Sequence, residues 1–383
     1  MSAARAESTA VVAVDKFKGS ASALEACAAL AEGLAEAGLR VRVAPIADGG
    51  EGTVDAAVSA GHARVERRVR GPLGEPVEAS FAWLAAPGVA IVEAAQACGL
   101  DLVPQVDGDS GMRASTRGVG ELIRHCLDLG ARTVVIGAGG SASTDGGAGL
   151  LRGLGARILD DRGAPVGEGA RGLLDAAAVD LRGLDPRLAE TELVLAADVD
   201  NPLCGPSGAA RVYGPQKGLA PPEAAAADAA LGRFAELVED VLRVERGAHA
   251  LARGSGAAGG LGFGLLAACS ARLESGAGMV LDLVGLESAL DGADLVVTGE
   301  GRLDRQTLHG KGPAAVIALA RERGLPVYAV CGRSELGAEE LGATRVLELV
   351  ELEPDVRRCI ERPLPLLREL GRIIARDRRS RAG

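Results

Sequence analysis

Lysine is scarce in this chain and unevenly placed. Only four lysines stand among 42 basic residues, Lys16, Lys18, Lys217 and Lys311, and each falls in a glycine-rich stretch. The stretches are "VDKFKGS" (14–20), "GAARVYGPQKG" (208–218, the end of a longer loop from 196) and "TGEGRLDRQTLHGKGP" (298–313). Two more glycine stretches, "PIADGGEGT" (45–53) and "GAGGSASTDGGAG" (137–149), carry carboxylates instead. Glycine lets the backbone approach a ligand closely and adopt positive φ. Successive N–H groups with Ser or Thr hydroxyls can then cradle an anion. In such a tight pocket a lysine ammonium serves as a compact point charge where an arginine fork would be bulky. The same loops hold Asp48, Glu51, Asp145, Asp198, Asp200, Glu300 and Asp304, with Arg302 between the last two, and the only asparagine, Asn201. Oxygen ligands beside phosphate-binding loops are what a magnesium nucleotide requires. One further carboxylate would accept the proton of an attacking hydroxyl. Each loop alone reads first as a structural turn, and Asp145 equally as a helix N-cap; five such loops together point to a site.

Two familiar motifs lack their context. Gly254, Gly256 and Gly259 fit G-x-G-x-x-G, but "VERGAHALAR" before them is no strand, so a nicotinamide site is not expected. "HGKGP" (309–313) has neither the upstream glycine nor the Ser/Thr of a P-loop, although Lys311 directly precedes a helix start, where an anion is favoured.

The elements that must position these loops alternate. "STAVVAVD" reads as a strand, followed by a helix over "SALEACAALAEGLAEAG" with Ser22 and Glu25 spaced as a capping box, then a strand over "LRVRVAP". A second such unit follows near the C-terminus: strand "DLVVTG", helix "PAAVIALARERG" opened by Pro313, strand "LPVYAVCG". Between them, "EPVEASFAWL", "VAIVEA", "RTVVIGAG" and "ELVLAADVD" alternate with helices such as "GVGELIRHCLDLG". The expectation is an α/β protein of two α/β domains with largely parallel sheet. A discontinuous Rossmann/flavodoxin-like domain, 1–70 with 288–383, is interrupted by an inserted α/β domain, 71–287. The loops after the strands carry the site.

Composition excludes several classes. A net charge of −10 and a pI near 5.2 speak against nucleic-acid or anionic-membrane partners. Aromatic content of 2% speaks against a base-stacking surface. Seven cysteines without a CxxC read as buried thiols in a reducing compartment, and four scattered histidines suggest no zinc site. Apolar runs too short to span a bilayer point to a cytoplasmic protein.

"DKFKGS", "PIADGGEGT", "GGSASTDGGAG", "DVDNPLCGPSGAARVYGPQKG", "GSGAAGGLG" and "GEGRLDRQTLHGKGP" follow one another as in the bacterial glycerate kinase family of the type I fold, which the chain resembles over about residues 10 to 350. Thr144 stands where many members carry Asn, and Lys16 is the lysine least expected to matter. The resemblance implies transfer of the ATP γ-phosphoryl group to a hydroxyl of D-glycerate, with 2-phosphoglycerate favoured over 3-phosphoglycerate. It also implies an active site in the cleft between the two domains. In that reading Lys18 and Lys217 contact phosphoryl oxygens or the substrate carboxylate, supported by Lys311. Asp198 and Glu300 hold Mg2+ or its waters, and Asp48 or Asp304 orients the attacking hydroxyl. Gly139, Gly140 and Ser141 supply backbone donors, while Ser20, Asn201 and Arg302 line the substrate and phosphate site. Other readings remain open: a kinase for another small hydroxy acid or sugar acid, or a non-catalytic small-anion-binding protein. Oligomeric state is not expected to be legible.

Overall fold

A computed structural model describes residues 8–305, 307–308 and 312–382. Its strands, in chain order, are β1 (Thr9–Val14), β2 (Arg40–Val43), β3 (Ala63–Arg70), β4 (Pro76–Leu84), β5 (Val89–Glu93), β6 (Thr133–Gly137) and β7 (Arg157–Leu159). They continue with β8 (Ala178–Asp180), β9 (Glu192–Ala196), β10 (Arg272–Glu274), β11 (Leu295–Leu303), β12 (Val327–Ser334) and β13 (Arg345–Glu348). The chain groups into two compact units. The first is Met1–Asp48, Asp55–Ala60 and Ala277–Gly383; the second is Gly49–Val54 and Gly61–Gly276.

The first unit is built on a parallel sheet in the order β13-β12-β11-β1-β2. Every residue of β1, "TAVVAV", is buried. A β-branched run without polar alternation is what a central strand covered on both faces demands. Its side chains divide accordingly. Ala10, Val12 and Val14 pack with Leu30, Leu34, Leu370 and Ile374 on one face. Val11 and Ala13 pack with Val296, Val316, Ile317 and Ala320 on the other. The helix Ala23–Glu36 starts with the expected capping box: Glu25 N donates to Ser22 Oγ at 3.2 Å, and Ser22 N to Glu25 Oε2 at 2.9 Å. That helix lies against Pro363–Ala382 at Gly33, where any Cβ would collide with the Arg368 carbonyl.

The second unit holds a six-stranded sheet in the order β10-β9-β6-β5-β4-β3 and a small β7-β8 pair. Strands β10, β9, β6 and β5 run parallel, while β4 and β3 are added antiparallel at one edge. One core around Phe81, Leu122, Ile136, Leu195, Phe234 and Phe263 joins the sheet to its helices. The α/β class with mostly parallel sheet thus holds in both units. The G-x-G-x-x-G glycines follow turns rather than a strand. Gly256 and Gly259 allow close backbone approach, since a Cβ there would strike Pro202 O and Ser143 O respectively.

Candidate active site

In the first unit, β1 has β2 on one side and β11 on the other, so the strand order reverses between β1 and β11. A crevice outside the carboxyl ends of two such strands is where an open α/β sheet takes its ligand. Asp15, directly after β1, is fixed there by its N–H, which donates to Gly299 O at 2.8 Å. Its Oδ1 accepts from Lys16 N at 2.6 Å, and the residue is only 6% exposed. Burial pushes the Asp15 carboxyl up to about 7; Lys16 opposes the shift, and Asp48 and Glu300 add to it. Three carboxylates therefore share one field at this reversal point.

The turn after Asp15 is closed by Phe17 N to Ala21 O (2.8 Å) and Ser20 N to Phe17 O (2.8 Å), with Gly19 at φ 71°. It leaves Lys18 exposed beside Gly301, where a Cβ would sit 3.3 Å from Lys18 N. The Ser20 hydroxyl donates to Ile360 O at 2.7 Å. Glu300 Oε1 accepts from Thr307 Oγ1 at 2.7 Å, and that same hydroxyl accepts from Asp304 N at 3.1 Å. Arg302 is exposed and pairs with Glu335. Lys311 lies outside the described residues.

In the second unit the loops converge at the carboxyl ends of β5, β6 and β9. Segment 49–54 lies against them so closely that a Cβ on Gly137 would strike Gly49 O, and one on Gly139 would stand 2.6 Å from Gly50 Cα. Glu93, at the end of β5 and 2% exposed, holds that segment by accepting from Gly52 N (3.0 Å) and Val54 N (2.6 Å). Sequence reasoning passed over Glu93 and Asp15 alike. The available signal was a lone acid at the end of an apolar strand. Asp198 Oδ1 accepts from Ser275 Oγ (2.9 Å) and Gly276 N (3.0 Å).

The turn after β6 is tied by Leu100 N to Gly140 O (2.9 Å) and Ala142 N to Cys98 O (2.7 Å), with Gly140 at φ 73°. The N–H groups of Gly139, Gly140 and Ser141 meet no acceptor among the described residues. Lys217 is 3% exposed; its Nζ donates to Ser143 O at 2.6 Å and to Ser141 Oγ at 3.1 Å. Burial pulls its ammonium down to about 8. Asn201 braces its own loop, donating from Nδ2 to Ser207 O (2.8 Å) and accepting from Tyr213 Oη (2.7 Å). Asp145 is a buried cap, accepting from the N–H groups of Thr116 (2.8 Å), Gly147 (3.2 Å) and Gly149 (3.1 Å). The buried Thr144 hydroxyl has no partner among the described residues.

Each unit therefore presents a distinct chemistry. The first offers hard carboxylate oxygens with an exposed ammonium, a donor set that suits magnesium and its waters. The second offers a backbone turn of the kind that accommodates an anion, backed by a buried cation. Among the described residues no group of three or more His, Cys, Asp or Glu is placed to hold a metal ion. No helix among them is long and apolar enough to cross a membrane.

The model of the glycerate kinase family matches residues 10–379. A glycerate kinase of Bacillus subtilis is 46% identical, over 84% of this chain and 84% of its own length. A glycerate 2-kinase of Escherichia coli is 41% identical, again over 84% of each. A crystal structure of a candidate glycerate kinase 2 from Salmonella typhimurium LT2 superimposes with a TM-score of 0.81 at 39% identity, covering 98% of this chain and 99% of that one.

Proposed function

The chain belongs to the glycerate kinase family, and from that premise we propose that it transfers the γ-phosphoryl group of ATP to D-glycerate, with the 2-hydroxyl as acceptor. The observation that carries this reading is that each unit has its own loop set, one rich in carboxylates and the other with N–H groups that meet no acceptor among the described residues. Phosphoryl transfer asks for positioning and charge stabilisation rather than covalent chemistry from the protein. Lys18 is assigned to phosphoryl oxygens or the substrate carboxylate, with Ser20, Arg302 and Lys311 supporting the same region. Gly139, Gly140 and Ser141 supply N–H donors to an anionic group, and Asn201 shapes the neighbouring loop. Asp48 or Asp304 orients the attacking hydroxyl.

Glu300 and Asp198 are the residues that would hold Mg2+ or its waters. When bound, that ion supplies charge neutralisation for the transferring phosphate. Glu300 is oriented for such a role by the Thr307 hydroxyl, and Asp198 by Ser275 and the Gly276 N–H. The domain arrangement implied is a Rossmann/flavodoxin-like domain carrying an inserted α/β domain. The seven cysteines carry free thiols, which fits a cytoplasmic setting.

Substrate profiling tests the reading. ADP release with magnesium-ATP is expected to depend on D-glycerate and to be far weaker with hydroxypyruvate, lactate or tartronate. Equal or faster turnover with one of those acids would reassign the substrate and leave the phosphotransferase chemistry standing.

A further inference from the structure

Lys217 is fully enclosed in the second unit, and its ammonium is already engaged. It sits in the short turn Pro215–Lys217, ahead of Gly218 at φ 92°. From there its side chain reaches the inner side of the turn that follows β6. It grips that turn at two points, the Ser143 carbonyl (2.6 Å) and the Ser141 hydroxyl (3.1 Å). The charged and titratable groups facing it are Cys98, from the helix Ala95–Cys98, and Asp145, from the turn leading into Ala148–Gly153. Cys98 is a neutral thiol, because burial pushes it up to about 12. Asp145 is committed to Thr116, Gly147 and Gly149. Neither forms a close ion pair with Lys217, so the cation is balanced mainly by the carbonyl and hydroxyl it holds. A buried charge is costly unless its bonds are made, so such a lysine constrains whatever it bonds to.

The same turn bears the N–H groups of Gly139, Gly140 and Ser141, which meet no acceptor among the described residues. We propose that Lys217 is a positioning residue: it touches no ligand, but pins Ser141 and Ser143 from inside so that the three N–H groups are preset for a phosphoryl or carboxylate group. This rests on the reading of Gly139–Ser141 as an anion site and replaces direct ligand contact by Lys217 with control of the turn. Its positive charge, held at Ser141 Oγ and Ser143 O, also adds to the attraction of the turn for an anion. Because the ammonium loses its proton near pH 8, the charge disappears above that pH and the neutral amine left behind holds its two acceptors by weaker hydrogen bonds.

The test uses full-length Lys217→Met, which keeps an unbranched side chain one atom shorter and removes its donors. Without any ligand, amide hydrogen exchange of Ala142, whose N–H closes that turn on Cys98 O (2.7 Å), is expected to accelerate about tenfold or more, the scale of a lost buried charged hydrogen bond, while β1, β9 and β12 exchange as before. With magnesium-ATP and D-glycerate, kcat is expected to fall about 10- to 100-fold, more than either KM rises. The loss of wild-type kcat above about pH 8 is expected to be absent from the variant. Should Lys217→Met not fold, Ser141→Ala removes one of the two grips and retains the N–H; it is expected to show the same local acceleration, a few-fold in size.

Three results would overturn the proposal, each in a different way. Unchanged exchange without ligand, with only a raised KM, would make Lys217 a ligand contact. Faster exchange throughout the unit would make it a general structural residue. Local acceleration with normal kcat and KM would leave Lys217 holding the turn and remove that turn from the anion site, so the reading beneath the proposal would fail instead.

Discussion

Asp15→Asn is expected to stabilise the protein at pH 8 and to cut its turnover about a hundredfold. The two effects come from one cause. Asp15 is buried at the carboxyl end of β1, and burial, helped by Asp48 and Glu300, raises its carboxyl to about 7 from an ordinary 3.8. A raised carboxyl means that the folded protein holds this proton more tightly than the unfolded chain. Between pH 3.8 and about 7 the folded state binds more protons, so stability falls as pH rises, at up to about 1.4 kcal/mol per pH unit. Above pH 7 the full cost of an ionised buried carboxylate is present. Asparagine carries no such cost, so the difference between variant and wild type should open from about pH 4 and level off above 7. Chemical denaturation of both proteins, without ligands, at several pH values measures it. A difference that stays constant with pH would contradict the burial account. The loss of turnover follows from position, since Asp15 shares the reversal point of the sheet with Glu300 and Asp48, and the amide removes one acidic group from that site.

Lys18→Ala carries the second large effect, a fall in kcat/KM of about 10²- to 10³-fold. Lys18 is exposed on a turn whose backbone is closed upon itself and anchored to Ile360 through Ser20. Its ammonium makes no hydrogen bond or ion pair among the described residues, in a loop whose backbone is otherwise fixed. Removing it should leave thermal unfolding nearly unchanged, because an exposed lysine contributes little to stability. Lys18→Arg should recover only part of the loss, because a planar fork does not replace a compact charge against one phosphoryl group. Steady-state kinetics of both variants decides the point. Full activity in Lys18→Ala would remove the opening loop from the site.

Much of the fold was legible because its signals are local. The unbroken β-branched run of β1 and the Ser22–Glu25 spacing name a buried strand and a helix start without reference to anything distant. β3 was not legible. "ARVERRVR" is a charged, mostly exposed edge strand, and its pairing with β4 is what makes it a strand. β13, four residues at an edge of the first unit's sheet, is too short for its own pattern to name it and is a strand through its pairing with β12.

The site divides along the same line. Glycine loops could be read, since φ and close approach are local demands, and Gly140 at φ 73° illustrates it. What each side chain is bound to could not. The raised carboxyl of Asp15 depends on burial and on Asp48 and Glu300, far along the chain. Lys217 is enclosed by a turn more than seventy residues earlier, at separations of 76 and 74 positions. Glu93 becomes a loop anchor only because segment 49–54 folds back onto β5. Residue type and spacing locate chemistry; burial and partners, which the tertiary fold decides, distribute the roles.

Phosphoryl transfer from ATP to the 2-oxygen of D-glycerate can be followed directly by phosphorus NMR of the reaction mixture. The ATP γ-phosphate signal is expected to decline and a phosphomonoester to grow only when D-glycerate is present, split into a doublet by the single proton on C2. A triplet would place the phosphate on the 3-oxygen and contradict the assigned acceptor. No glycerate-dependent phosphomonoester at all would contradict the transfer itself.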